Sequence, residues 1–132
     1  MQNLLTALKQ EHEALKAQVA LIKQHGVVTP DGFAGLQRLR EILHAHVLHE
    51  DLDLYPRLEQ AAVRDDNLRT LLDRFRGEMQ EITAEANQFY QRYSAPVQSL
   101  DYARDVARLF SLLTNRIVTE EAVLYPYLEK AP

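Results

Sequence analysis

Apolar residues recur three and four apart through four segments of this chain, and the connections between those segments are short. That spacing is the signature of amphipathic helix, and no stretch alternates with a period of two for long enough to suggest a sheet. The first segment covers residues 3–24 and stops at His25-Gly26, a helix C-terminal signal. "TPDGF" opens the second, with Asp31 as the expected N-cap and Pro56 as the expected interruption. The third covers 66–93, ahead of "SAPVQS", and Ser99 caps a fourth that meets Pro126. Short connections make successive helices antiparallel, so the expected fold is all-α, an up-down-up-down antiparallel four-helix bundle occupying residues 1–132 as one domain.

A chain of 132 residues, 46% of them apolar, is large enough to bury a core without staples. It has no cysteine, which excludes disulfides, thiolate metal sites and cysteine nucleophiles. The first residues lack the basic-then-apolar layout of a secretory signal, and no apolar run approaches the roughly 20 residues that span a bilayer. A cytoplasmic protein with no membrane association is expected. The net charge is −4, with Lys and Arg scattered, which argues against a nucleic-acid partner. A protein partner is left open, and so is the choice between monomer and homodimer.

Each helix has one apolar stripe. The stripes run Leu5, Leu8, His12, Leu15, Val19, Ile22; Leu36, Leu39, Leu43, His46, Glu50, Leu54; Leu72, Phe75, Met79, Ile82, Ala86, Phe89; and Val106, Leu109, Leu113, Arg116, Glu120, Leu124. Five positions break the apolar pattern: His12, His46, Glu50, Arg116 and Glu120. At a rise of 1.5 Å per residue, His12 and His46 each stand about 21–23 Å from the first turn, and the other three fall at a similar height. One buried layer of five polar groups is therefore expected. Its members must satisfy one another or bind something, because burial without partners costs on the order of several kcal/mol.

The second and fourth helices repeat one another at an offset of 70. "EDLDLYPRLEQ" from Glu50 aligns with "EEAVLYPYLEK" from Glu120, and His46 then faces Arg116. At an offset of 67, the first and third helices align, with His12 opposite Met79. His46-x-x-x-Glu50-Asp51-x-x-Leu54-Tyr55-Pro56 resembles the HxxxEExxLYP signature of the hemerythrin-like, HHE cation-binding domains, and "EHEALK" around His12 resembles that family's first-helix histidine. The resemblance extends over essentially the whole chain. It implies a di-iron site used in binding oxygen or in sensing gas, redox state or iron. His12 and His46 would ligate one iron, with Glu50 and Glu120 as bridges. Where the second iron requires histidines, this chain has Phe75, Met79 and Arg116, so the resemblance implies a degenerate di-iron site.

Two readings follow. Glu50 and Glu120 bring two negative charges, which Arg116 and one protonated histidine neutralise without any metal; a divalent ion beside Arg116 would leave one excess positive charge. The first reading is accordingly a non-enzymatic regulatory or binding module with a metal-free Arg/Glu/His core and no cofactor. The alternative is a single Fe or Zn ion held by His12, His46, Glu50 and Glu120 in a metal, oxygen or redox sensor, since His46 and Glu50 form an i,i+4 chelate. An oxidase would need two metals or a redox cofactor. His44 and His49 are expected to face solvent, His25 to sit at a helix end, and Tyr55 and Tyr125 to pack the bundle end. A ferritin-like centre needs two Glu-x-x-His pairs, and the single pair here, Glu41 with His44, lies off the stripe. There is no His-Glu-x-x-His and no glycine-rich phosphate loop, and "DLDLYP" lacks the glycine of a calcium loop.

Overall fold

Helix α1 (Leu4–His25) begins where the Asn3 side chain accepts the Thr6 N–H at 2.8 Å, and it ends at Gly26. The computed structural model describes residues 3–130. Gly26 has φ of 89°, a conformation glycine adopts without steric cost, and its N–H returns to the Ile22 carbonyl. Helix α2 (Pro30–His49) is capped by Thr29, which accepts the Gly32 N–H at 3.0 Å, rather than by Asp31. Pro30 causes that shift: with φ preset and no N–H, it takes the first helical position, so the cap is Thr29, two residues before Asp31. Asp31 instead lies in the first turn, where the helix dipole favours a carboxylate.

Pro56 does not end the second rod. A π-helical turn, π1 (Glu50–Leu54), carries α2 into α3 (Tyr55–Ala62). In an α-helix the proline ring would strike the carbonyl four residues back; the wider π turn re-aims that carbonyl, so the helix passes through. Helix α4 (Asp66–Arg92), capped by Asp65, packs against α3 and α5. Helix α5 (Leu100–Thr119), capped by Ser99 as expected, runs through a second π turn, π2 (Glu120–Leu124), into α6 (Tyr125–Lys130). The result is an all-helical, up-down-up-down four-helix bundle. None of the described helices is long and apolar enough to cross a membrane.

The core is divided in two. Leu15, Val19, Ile22, Leu36, Leu39, Phe89, Tyr102 and Leu113 belong to one apolar cluster. Leu5, Leu8, Leu54, Leu58, Leu68, Leu72, Phe75 and Leu124 belong to the other. Between them lie His12, His46, Glu50, Arg116 and Glu120, the buried polar residues of the described chain. The turn after α1 is tightly fitted: a Cβ on Gly32 would stand 1.9 Å from the Gly26 carbonyl oxygen. Gly32→Ala should therefore cost about 1–3 kcal/mol despite the better helix propensity of alanine, as a fall in the urea midpoint. No change in midpoint would mean that the turn relaxes freely.

Candidate metal centre

Each half of the chain delivers its carboxylate at the first residue of a π turn. Glu50 opens π1 and Glu120 opens π2, with the Tyr55 and Tyr125 N–H groups closing back onto their carbonyls five residues earlier. Closing a turn over five residues lets residue i+5 return toward the face of residue i, so each tyrosine follows its glutamate into the interior. Both tyrosines are buried, and their hydroxyls enter the polar layer rather than packing the bundle end as expected. They do so crosswise. Tyr125, from the second half, donates to Glu50 Oε2 of the first half at 2.7 Å. Tyr55, from the first half, accepts from Arg116 Nη2 of the second at 3.0 Å.

Four donors converge. One ligand atom each from His12, His46, Glu50 and Glu120 lie within 4.8 Å of one another, and all four residues are buried. His12 Nε2 is 2.9 Å from Glu120 Oε1. His46 Nε2 is 3.5 Å from Glu50 Oε2 and 3.6 Å from Glu120 Oε1, and it forms no hydrogen bond. Four ligands at about 2.0–2.1 Å around a tetrahedral zinc stand about 3.3 Å apart, so these separations already approach what one ion requires. The layer also encloses a void of about 10 Å³ between His46, Met79 and Arg116, room for about one water molecule.

The outer ring nitrogens carry a second feature. His12 Nδ1 meets Glu121 Oε2 at 2.6 Å, and His46 Nδ1 meets Glu11 Oε1 at 2.7 Å. Each Nδ1–carboxylate contact fixes the plane of its imidazole and turns Nε2 inward, where a cation would take the place of a proton. Glu11 also holds His49 Nδ1 at 2.6 Å through its other oxygen, and His49 Nε2 lies 3.3 Å from Asp53. His49, expected to face solvent, is thus tied to the site's periphery, whereas His44 is exposed as expected and His25 is the last residue of α1. Sequence periodicity missed Glu11 and Glu121, and the available signal was their place beside two stripe residues, His12 and Glu120.

Arg116 enters the layer from α5. Its Nε donates to Glu120 Oε2 at 3.1 Å, and its guanidinium lies 4.7 Å from the centroid of the Phe75 ring. Phe75 and the half-buried Met79 supply no strong ligand, so among the described residues the converging donors are His12, His46, Glu50 and Glu120, a set that could hold one cation.

Charge polarises the cluster. Burial alone would lower the His46 pKa, but the Glu120 and Glu50 carboxylates facing it outweigh this and lift it to about 10. Burial pushes Glu50 above the ordinary carboxyl range, and the Glu120 charge adds to that against the pull of His46. Glu120 also suffers burial, yet His12, His46 and Arg116 hold it well below the usual range. Of the pair, Glu120 holds the ionised form the more firmly. Burial, with both carboxylates beside it, drives Tyr125 far up, so it remains a phenol and a hydrogen-bond donor. Burial likewise raises Tyr55, to about 12, with Arg116 pulling the other way.

The family model of the hemerythrin HHE cation binding domain matches residues 3–128. No curated protein and no solved structure matches the chain.

Proposed function

We propose, from the premise that this chain belongs to the hemerythrin HHE cation-binding domain family, that it is a non-enzymatic regulatory module that takes up one Fe or Zn ion. His12, His46, Glu50 and Glu120 would hold the ion. The observation that carries this reading is the pair of imidazoles braced outward on Glu121 and Glu11, with both Nε2 atoms turned into one carboxylate-lined layer. A core histidine that serves packing alone has no need of a carboxylate on its far side.

The outer glutamates also change the charge count. Counting only the inner layer leaves a divalent ion with one positive charge too many. Glu11 and Glu121 bring the carboxylates to four against one guanidinium, a deficit of three positive charges once an entering ion has displaced the imidazole protons, that of His46 among them. A divalent ion removes two of them and leaves the site mildly anionic.

A bound ion would supply a Lewis-acidic centre, and a redox-active one if it is iron. The protein's own part is positional. Glu11 and Glu121 aim the imidazoles, Tyr125 pins Glu50, and Leu15, Leu113 and Ile117 line the layer and exclude water. A void of about 10 Å³ admits no organic substrate, which supports a binding or sensing role over catalysis.

Arg116 favours a second reading. Its contact with Glu120 places a cation in the layer already, so the same residues can form a metal-free polar core for a module that is indifferent to ions. Elemental analysis of protein from iron- and zinc-supplemented cells separates the two. About one equivalent retained after mild chelation supports the ion reading, and none supports the metal-free core. Glu11→Gln should then weaken zinc retention by about 10–100-fold in chelator competition, since it removes an outer support and no ligand. An unchanged affinity would deny Glu11 the supporting role.

A further inference from the structure

Arg116 connects the buried layer to the surface. Two of its nitrogens are satisfied, Nε by Glu120 at 3.1 Å and Nη2 by Tyr55 at 3.0 Å. The third, Nη1, has no hydrogen-bond partner although the side chain is only 5% exposed. It points toward Glu78 on α4, whose Oε2 lies 3.9 Å away on a carboxylate that is 48% exposed. Beyond it, a groove of about 260 Å³ opens between α4 and α5, with Glu78, Glu81 and Glu85 along its α4 side. The same guanidinium borders both this groove and the small void around His46.

We propose, resting on the single-ion reading, that Arg116 is a displaceable counter-ion: a cation entering the layer takes Glu120, and the guanidinium moves out to Glu78. Site occupancy is thereby converted into a change of charge on the α4–α5 surface.

Three features support the exchange. Glu120 is shared, with Oε1 on His12 and Oε2 on Arg116, so an ion drawing on this carboxylate competes directly with the guanidinium. An arginine cannot shed its proton, so the conflict is resolved by movement rather than by neutralisation. The path is short and paved. Bringing 3.9 Å down to a hydrogen-bond length of about 2.9 Å takes a shift of about 1 Å. The Phe75 ring face beneath the guanidinium offers it continuous cation–π contact on the way. That shift would also give Nη1, which has no hydrogen-bond partner in the inner position, a carboxylate acceptor.

The test is a double-mutant cycle on the whole protein, freed of metal by chelation and titrated with Zn²⁺ against a chromophoric competitor. Glu78→Gln should weaken Zn²⁺ binding about tenfold in the otherwise native chain and less than twofold in an Arg116→Met background, because the coupling runs through the guanidinium. Equal losses in both backgrounds would make Glu78 a general attractor of cations and overturn the exchange, as would no loss in the native background. The ¹⁵N resonance of Arg116 Nε–H gives a readout without any substitution at that position. It should shift on Zn²⁺ addition, and by less in Glu78→Gln; a resonance unmoved by bound Zn²⁺ overturns the exchange. Absence of Zn²⁺ binding in the native chain and in Arg116→Met alike has a different signature: it refutes the single-ion reading, and the exchange falls with it.

Discussion

Glu120→Ala should lower the free energy of unfolding by about 3–5 kcal/mol, the cost of removing one partner from a buried charge pair. Glu120 is 1% exposed and is the shared acceptor of the layer, with His12 Nε2 at 2.9 Å, Arg116 Nε at 3.1 Å and the Tyr125 hydroxyl at 3.3 Å. Its truncation leaves a buried guanidinium with Tyr55 as its remaining interior hydrogen-bond partner, and that cation cannot be neutralised. Against a typical total of about 5–15 kcal/mol, the loss is large. For a chain of this size it corresponds to a fall in Tm of about 10–20 °C. Urea denaturation measures it. The double variant Glu120→Leu with Arg116→Leu removes both charges and should cost less than the single truncation. A loss under about 1 kcal/mol for Glu120→Ala would show that the layer is held by something other than these ion pairs.

His46→Ala should abolish retention of the ion, with Zn²⁺ affinity falling by more than about 100-fold, beyond the range expected for an outer partner. His46 Nε2 is the inward donor that forms no hydrogen bond in the layer, and it shares an i,i+4 face with Glu50, so its removal destroys the chelate and one of four ligands together. His44→Ala is the control, because His44 is exposed two residues away on another face. Chelator competition measures both, with far-ultraviolet circular dichroism to confirm that the helices persist. Metal retained at wild-type affinity in His46→Ala would remove this cluster from consideration as the binding site.

The stripe pattern was a reliable guide to the layer because helical periodicity reports which face is buried. The five residues that interrupted the apolar stripes, His12, His46, Glu50, Arg116 and Glu120, are the five buried polar residues of the described chain. Glu11 and Glu121 escaped that reading. Each sits about 100° round from a stripe residue, on the boundary of the buried face, where periodicity does not separate a solvated carboxylate from one that reaches back to an imidazole. Their omission is also what made the ion look electrostatically unwelcome. The two tyrosines escaped for a different reason. Face assignment by threes and fours assumes one hydrogen-bond register throughout, and π1 and π2 change that register after Glu50 and Glu120. "LYP" occurring at the same distance after both glutamates was the visible trace of the change.

Each π turn amounts to one surplus residue in an otherwise regular helix, and the chain downstream is phased to that surplus. Deleting a single residue from 51–53 would remove that surplus, swing α3 about 100° relative to α2 and set the Pro56 ring against the carbonyl of the turn before it. Leu58, now 0% exposed, and Tyr55, now 3% exposed, would leave the interior together. Loop insertions elsewhere in such a bundle are cheap, but chain length in these two turns is counted like teeth on a gear.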